Sequence, residues 1–210
     1  MAFVSLAEWV AQISSSKALG SFPTDTVPAL AARPDQGAQI YKMKGRSPDK
    51  PLILMGAILE DLLPYVQGTA DALAQWQQVT DPCWPGALTL VLPASDRLPT
   101  AMNPQQTGTL GIRVPDHPLA RHLLAQTGPL ATTSVNRSGQ PALAERTAIA
   151  QQFPELLQLD EKSLTTLRAT LGAWPEQGSG QPSTVVQWQA PGWRVLRQGS
   201  VSVSALPMME

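Results

Sequence analysis

The sequence predicts an α/β (α+β) fold, a single domain over residues 1–210 with a mixed parallel and antiparallel sheet and flanking helices. Short apolar runs that stop at Pro or Gly interleave with stretches of helical periodicity. Some runs are joined by tight Pro/Gly turns and others by helices, which is the pattern of a mixed sheet. Of the 210 residues 43% are hydrophobic and 15% charged, enough to bury a full core and too apolar for disorder.

Taken in order, Ser5 to Lys17 reads as an amphipathic helix. Leu6, Trp9, Val10 and Ile13 form its stripe, Ser5-x-x-Glu8 its capping box, and Gly20 its end. Leu19 to Phe22 is a short strand that delivers Pro23-Thr-Asp-Thr26 into a turn. Two hydroxyls and a carboxylate at a sheet edge suit a ligand, although an ordinary Asx or Ser/Thr turn has the same composition. Asp35 to Tyr41 is a helix with Asp35 as candidate N-cap and Ile40 and Met43 on one face. Lys44 and Arg46 then fall where that helix ends, and Leu52 to Met55 enters the sheet. Lys42, Lys44, Arg46 and Lys50 at this junction can point at one spot, which suits a polyphosphate. Equally, such cations satisfy the last carbonyls of a helix and its dipole.

Two further helices are expected over Glu60 to Val66, interrupted by Pro64, and over Thr69 to Val79. Trp84-Pro-Gly86 is a turn feeding a strand that runs to Leu92, and Thr109 to Val114 is another strand, stopped by Pro115. Pro118 opens a helix to about Gln126, with His117 and His122 as surface or capping residues. Leu130 to Ser134 is a strand opening into Val135-Asn-Arg-Ser-Gly139, small polar residues that let backbone N–H groups approach an anion. A Gly-, Ser- and Pro-rich stretch, Gln177 to Ser183, leads to strands over Thr184 to Trp188 and Trp193 to Leu196, the latter carrying Arg197.

Fifteen Lys plus Arg against sixteen Asp plus Glu argue against broad nonspecific nucleic-acid binding while allowing a local basic patch. One cysteine, Cys83, excludes an internal disulfide, and with two histidines no protein-built metal site is expected. The chain has no apolar run of membrane-spanning length and no basic-then-apolar leader, so the expected location is the cytoplasm.

The order of the motifs is more specific than any one of them. Pro23-Thr-Asp-Thr26, Lys44-Gly-Arg46 with Lys50-Pro-Leu52, Trp84-Pro-Gly-Ala-Leu-Thr89, Arg113-x-Pro-x-His117, Thr133-Ser-Val-Asn136 with Ser138-Gly139, Pro182-Ser-Thr-Val-Val186 and Leu196-Arg-Gln-Gly199 occur in succession. This succession, from about residue 21 to 199, resembles the YrdC-like family, whose best-known members are threonylcarbamoyl-AMP synthases. The resemblance implies a twisted mixed sheet with outer helices and a positively charged concave face. It also implies a reaction in which L-threonine, bicarbonate and ATP give threonylcarbamoyl-AMP and pyrophosphate. The product would feed threonylcarbamoyl-transferase machinery acting on tRNA.

By this resemblance Lys44, Arg46, Lys50, Thr109, Ser134, Asn136 and Arg197 face the nucleotide, with Ser134 and Asn136 as uncharged donors. Thr26, Arg113, Thr132 and Ser183 face the threonine. Magnesium (Mg2+) is implied as the companion of ATP, held mostly by substrate oxygens and water. A tRNA or double-stranded RNA contact would use a local basic face. Asp25 is a candidate base by position alone.

The chain departs from the family pattern at Val27-Pro28-Ala29-Leu30-Ala31, where glycines are usual, at Met55 where many members have His, and at Val135, Ala142 and Gln187. Read as a loop, residues 27–31 could not follow a glycine-dependent path without strain. Met55 would also make the amino-acid pocket drier. The expectation is normal ATP binding with weak threonine uptake, or preference for another small amino acid. The alternative function is a paralogue that binds nucleotide or RNA without synthase activity. The chain ends at Glu210 without room for the additional C-terminal domain of longer members.

Overall fold

The computed structural model describes residues 3–15 and 17–202. The chain opens with a two-residue strand β1 (Phe3–Val4) and helix α1 (Leu6–Ser15). Ser5 and Glu8 cap α1 reciprocally: the Ser5 N–H donates to Glu8 Oε2 at 3.0 Å and the Glu8 N–H to Ser5 Oγ at 3.3 Å. Trp9 and Ile13 form the buried face of α1, and the Trp9 indole donates to the Leu157 carbonyl at 3.1 Å. Gly20 does not end this helix; it begins the next strand, against the Trp9 ring.

Strands β2 (Gly20–Phe22) and β3 (Ala29–Ala32) flank the Pro23–Pro28 turn, and α2 (Gly37–Lys44) follows. Asp35 is not the α2 N-cap. It lies in a 3₁₀ turn, Pro34–Gln36, and pairs with Arg33 at 2.7 Å. After β4 (Ile53–Met55) the expected helix over 60–66 is replaced by two 3₁₀ turns, Leu59–Asp61 and Leu63–Tyr65, because Pro64 cannot donate into a continuous helix. Helix α3 (Ala70–Thr80) forms as expected, with the Thr69 hydroxyl accepting from the Ala72 N–H. Then come β5 (Leu88–Pro93), β6 (Thr109–Arg113), α4 (Pro118–Thr127) and β7 (Leu130–Ser134). The sequence reading did not include α5 (Arg146–Gln152), β8 (Gln158–Leu159) or α6 (Glu161–Leu171); β9 (Thr184–Gln189) and β10 (Gly192–Arg197) close the fold.

The main sheet has the order β10-β9-β5-β6-β4-β7-β3-β2, while β1 and β8 form a small parallel pair. Within the main sheet β4–β6 and β5–β9 are parallel and the other neighbours antiparallel, as the mix of turns and helices requires. One face carries Leu30, Leu54, Leu90, Leu110, Ile112 and Val186 into a core closed by α2, α3 and α5. The other face carries Phe22, Ala29, Ala31, Met55 and Leu130 into a second core under α1, α4 and α6. That second core draws nothing from β5, β6, β9 or β10. On those strands the same face holds Thr89, Gly111, Arg113, Val185 and Arg197, by register and strand alternation. Half the sheet face is therefore free of helix and closed over only by loops.

Strand β3 corrects the loop reading for residues 29–31, while Val27 and Pro28 stay in the turn before it. Ala29 pairs with Phe22 on one side and Ser134 on the other, and all four β3 residues are buried. Gln106 is the only non-glycine residue with positive φ among those described, so Ala29 meets no left-handed requirement. Met55 is likewise core, 6% exposed in the helix-covered cluster with Leu119 and Leu123. The departures at Ala29 and Met55 are therefore core positions and supply no physical ground for weak threonine uptake.

Candidate functional site

Arg113 is the centre of the open half-face. It ends β6, is 3% exposed, and its guanidinium is held on three sides. Its Nε donates to the Gly86 carbonyl at 3.0 Å, Nη1 to Thr26 Oγ1 at 2.8 Å and Nη2 to Asp25 Oδ1 at 2.6 Å. Three of five donors are thus engaged, and one N–H on each terminal nitrogen is left for a ligand. Burial pushes the guanidinium below its ordinary range, the Asp25 carboxylate opposes that, and Arg197 adds to it. Thr24, unassigned from sequence, steadies the turn: its hydroxyl lies 3.0 Å from that of Thr26 and donates to the Val27 carbonyl at 2.7 Å.

The Trp84-Pro-Gly motif has a steric cause. A Cβ on Gly86 would lie 2.2 Å from the Cys83 carbonyl oxygen, so only glycine lets that turn bring its carbonyl to Arg113. Gly178 plays the corresponding part in the Gly/Ser/Pro-rich stretch, where a Cβ would lie 2.5 Å from the carbonyls of Thr24 and Thr26. The stretch is strapped there by the Ser179 and Gly180 N–H groups, which donate to the Asp25 and Thr26 carbonyls at 2.9 and 3.0 Å.

Ser183 and Arg197 extend the same cluster. The Ser183 hydroxyl lies 2.9 Å from Thr89 Oγ1, another residue that sequence reasoning left without a role. Arg197 Nε and Nη2 donate to the Ser183 carbonyl at 3.1 and 2.8 Å. Across the sheet, Arg113, Thr89, Val185 and Arg197 form one row, so Arg197 sits beside the expected threonine side instead of with Lys44. The reason is the β9–β10 register, whose irregularity between Val195 and Arg197 brings Arg197 opposite Val185.

A second group forms at the end of β7. Lys44, 2% exposed, donates its ammonium to the Ser134 carbonyl and to Asn136 Oδ1, the latter at 2.8 Å. Asn136 Oδ1 also accepts from the Ser134 hydroxyl at 2.6 Å, and its Nδ2 donates to the Arg137 and Gln140 carbonyls. Both Asn136 N–H groups and the Ser134 hydroxyl proton are therefore already engaged. In this arrangement these residues orient Lys44. Lys44 keeps its third N–H for a ligand. Burial, with Arg46 nearby adding to it, lowers its pKa to about 8.

The four cations of the α2 junction do not converge on one spot. Lys44 turns inward, whereas Arg46 holds its own loop, donating from Nε to the Lys50 carbonyl at 2.9 Å and from Nη2 to the Pro51 carbonyl at 3.2 Å. Lys42 and Lys50 are exposed. Thr109 is half-buried, with its hydroxyl 3.2 Å from that of Thr107. Thr132 donates to the Ile53 carbonyl at 3.1 Å and is 1% exposed, on the sheet face that also carries Gly111 and Arg113. His117 is buried, not on the surface, and accepts from the Ala120 N–H as the N-cap of α4.

One turn joins the two groups. Thr26 bonds Arg113, and two residues later the Pro28 carbonyl accepts from the Val135 N–H at 3.1 Å, between Ser134 and Asn136. Two residues span at most about 7 Å, so the guanidinium cluster and the Lys44 cluster are neighbours on one surface. Among the described residues no three His, Cys, Asp or Glu side chains stand together as a metal cluster, and no helix is long and apolar enough to cross a membrane.

A family model for Sua5/YciO/YrdC proteins, described as "Telomere recombination", matches residues 13–199. A threonylcarbamoyl-AMP synthase of Chromohalobacter salexigens is 33% identical over 177 residues, covering 82% of this chain and 87% of that protein. A threonylcarbamoyl-AMP synthase of Bacillus subtilis is 40% identical over 140 residues, covering 63% of this chain but only 39% of that longer protein. The crystal structure of P. abyssi Sua5 complexed with L-threonine superposes with a TM-score of 0.79 at 26% identity, over 95% of this chain and 55% of that one. With a fold, a motif order and a family model in agreement over nearly all its length, the chain belongs to the Sua5/YciO/YrdC family.

Proposed function

We propose that this protein makes threonylcarbamoyl-AMP from L-threonine, bicarbonate and ATP, with release of pyrophosphate. The threonine amine and bicarbonate combine to a carbamate with loss of water, and a carbamate oxygen attacks the α-phosphorus as pyrophosphate leaves. Both partners are anions, so the site's task is to hold negative charges close together. The observation that carries the reading is the adjacency of the two clusters across Thr26 and Pro28, with Arg113 on one side and Lys44 on the other.

Arg113 presents its two remaining N–H groups to the threonine carboxylate, in the forked geometry that guanidinium and carboxylate share. Thr26 and Ser183 line that side, and Arg197 stands where carbamate and α-phosphate meet. Lys44 and Arg46 meet the phosphates. Magnesium enters as part of the ATP complex, coordinated by phosphate oxygens and water, and the described residues offer no carboxylate cage. Transfer to tRNA falls to separate machinery.

The test is pyrophosphate release from ATP, measured across a panel of amino acids with and without bicarbonate. Release that needs both threonine and bicarbonate supports the reading. Nucleotide or RNA binding with no such release would replace it with the paralogue.

A further inference from the structure

A cavity of about 420 Å³ lies at the β2 edge of the sheet, between α4, α5 and α6. Lys44, Arg46, Arg113, Ser183 and Arg197 do not line it, so it is separate from the site above. Its volume falls in the ~300–1,000 Å³ range of small-molecule pockets. The inner wall is apolar, with Phe22, Pro28, Leu119, Leu123, Leu159 and Trp174.

Two polar side chains interrupt that wall. Gln158 is 3% exposed; its Nε2 donates to the Arg146 carbonyl at 3.2 Å, which fixes the amide and leaves Oε1 without a hydrogen-bond partner among the described residues. Ser21 is 6% exposed, and its hydroxyl likewise has no partner there. Neither atom is sealed away, since the only sealed and unpartnered side-chain atom among the described residues is Trp76 Nε1. Both residues line the cavity, so both atoms reach open space there. An acceptor and a hydroxyl open to the cavity within a largely apolar wall are the points at which a bound molecule would be held in one orientation.

The rim argues against an anion, since its one carboxylate outside an ion pair, Glu145, is held only by the Gln177 amide. Arg146 pairs with Glu161, and Arg168 pairs with Glu176 at 3.0 Å while lying over the Trp174 ring. An anion would have to break an ion pair to find a cation. We propose that this cavity is a second small-molecule site, for a ligand without negative charge that has an apolar body and a polar head donating to Gln158 Oε1 and meeting Ser21 Oγ.

N-Phenyl-1-naphthylamine, an uncharged two-ring fluorophore with one N–H, is a suitable probe. Titrated into the full chain it should bind saturably, one per chain, with a rise in emission. Ala144→Trp and Thr165→Trp place a bulky ring at exposed rim positions and should each weaken binding at least tenfold, with circular dichroism and melting temperature unchanged. Diphenylmethane, of the same shape as diphenylamine without its N–H, should displace the probe at least fivefold less well than diphenylamine does. Absence of saturable binding, or undiminished binding in both rim variants, overturns the site. Equal displacement by the hydrocarbon overturns the polar head.

Discussion

Arg113 Nη2 donates to Asp25 Oδ1 at 2.6 Å, and the two side chains are only 4% and 16% exposed. The charge most suited to a substrate carboxylate is thus already compensated from within the protein. Asp25 serves as the partner that keeps a buried guanidinium tolerable, a different part from the proton acceptor its position in the turn had suggested.

Removing that partner leaves an uncompensated buried charge. Asp25→Ala should therefore cost about 3 kcal/mol of stability, the lower end for a broken buried pair because Asp25 keeps some contact with water. Urea unfolding at pH 7 measures it. Saturating threonine should recover more melting temperature in the variant than in the parent, because the ligand carboxylate replaces the lost charge. A loss under about 0.5 kcal/mol, the worth of one surface pair, would show that the pair is not structural.

Arg113→Lys should fail as well. One ammonium cannot serve the Gly86 carbonyl, Thr26 and Asp25 together and still grip a carboxylate in two places. The Michaelis constant for threonine should rise about thirtyfold or more with that for ATP little changed. A loss confined to ATP would move Arg113 to the nucleotide side.

Arg46→Ala should lower ATP affinity by about 2 kcal/mol, roughly thirtyfold, through loss of charged hydrogen bonds. Only the Lys50 and Pro51 carbonyls lose a partner inside the protein, so the fold should persist. Calorimetric titration of the folded variant decides it, and parental affinity would leave Arg46 a loop tether only.

Lys44 sets a pH dependence. With its pKa lowered to about 8, the ammonium that meets phosphate is lost as pH rises through that value, and ATP affinity should fall by up to tenfold per unit above it. Stability moves the other way. The folded chain holds fewer protons on Lys44 than the unfolded chain between about 8 and its ordinary value of 10.5, so this residue's contribution to stability rises with pH across that window. Titrations at several pH values should show the slope in the parent and a flat profile in Lys44→Gln. A parental profile flat from pH 7 to 10 would remove the ammonium from the binding step.

What the sequence by itself determined is local. The α1 capping box, the Thr69 cap, the Pro at the start of α4 and the apolar runs at 88–92, 109–113 and 130–134 are legible because their causes lie within a few residues. Helix α6 was within reach on the same terms, since Asp160 caps it and Leu164 and Leu167 mark its buried face. The motif order was legible too, and with it the residues that crowd around Arg113. Tertiary structure alone decided that Ala29-Leu-Ala-Ala is a strand, because alanines have no strand preference and the segment is extended only by pairing with β2 and β7. It likewise decided that Thr132 bonds the Ile53 carbonyl while Thr26 bonds Arg113, and that Arg197 stands beside Ser183. Each of these depends on the register between segments distant in the chain. A shift of one residue in a strand turns a side chain to the opposite face, and nothing local in the sequence records that register.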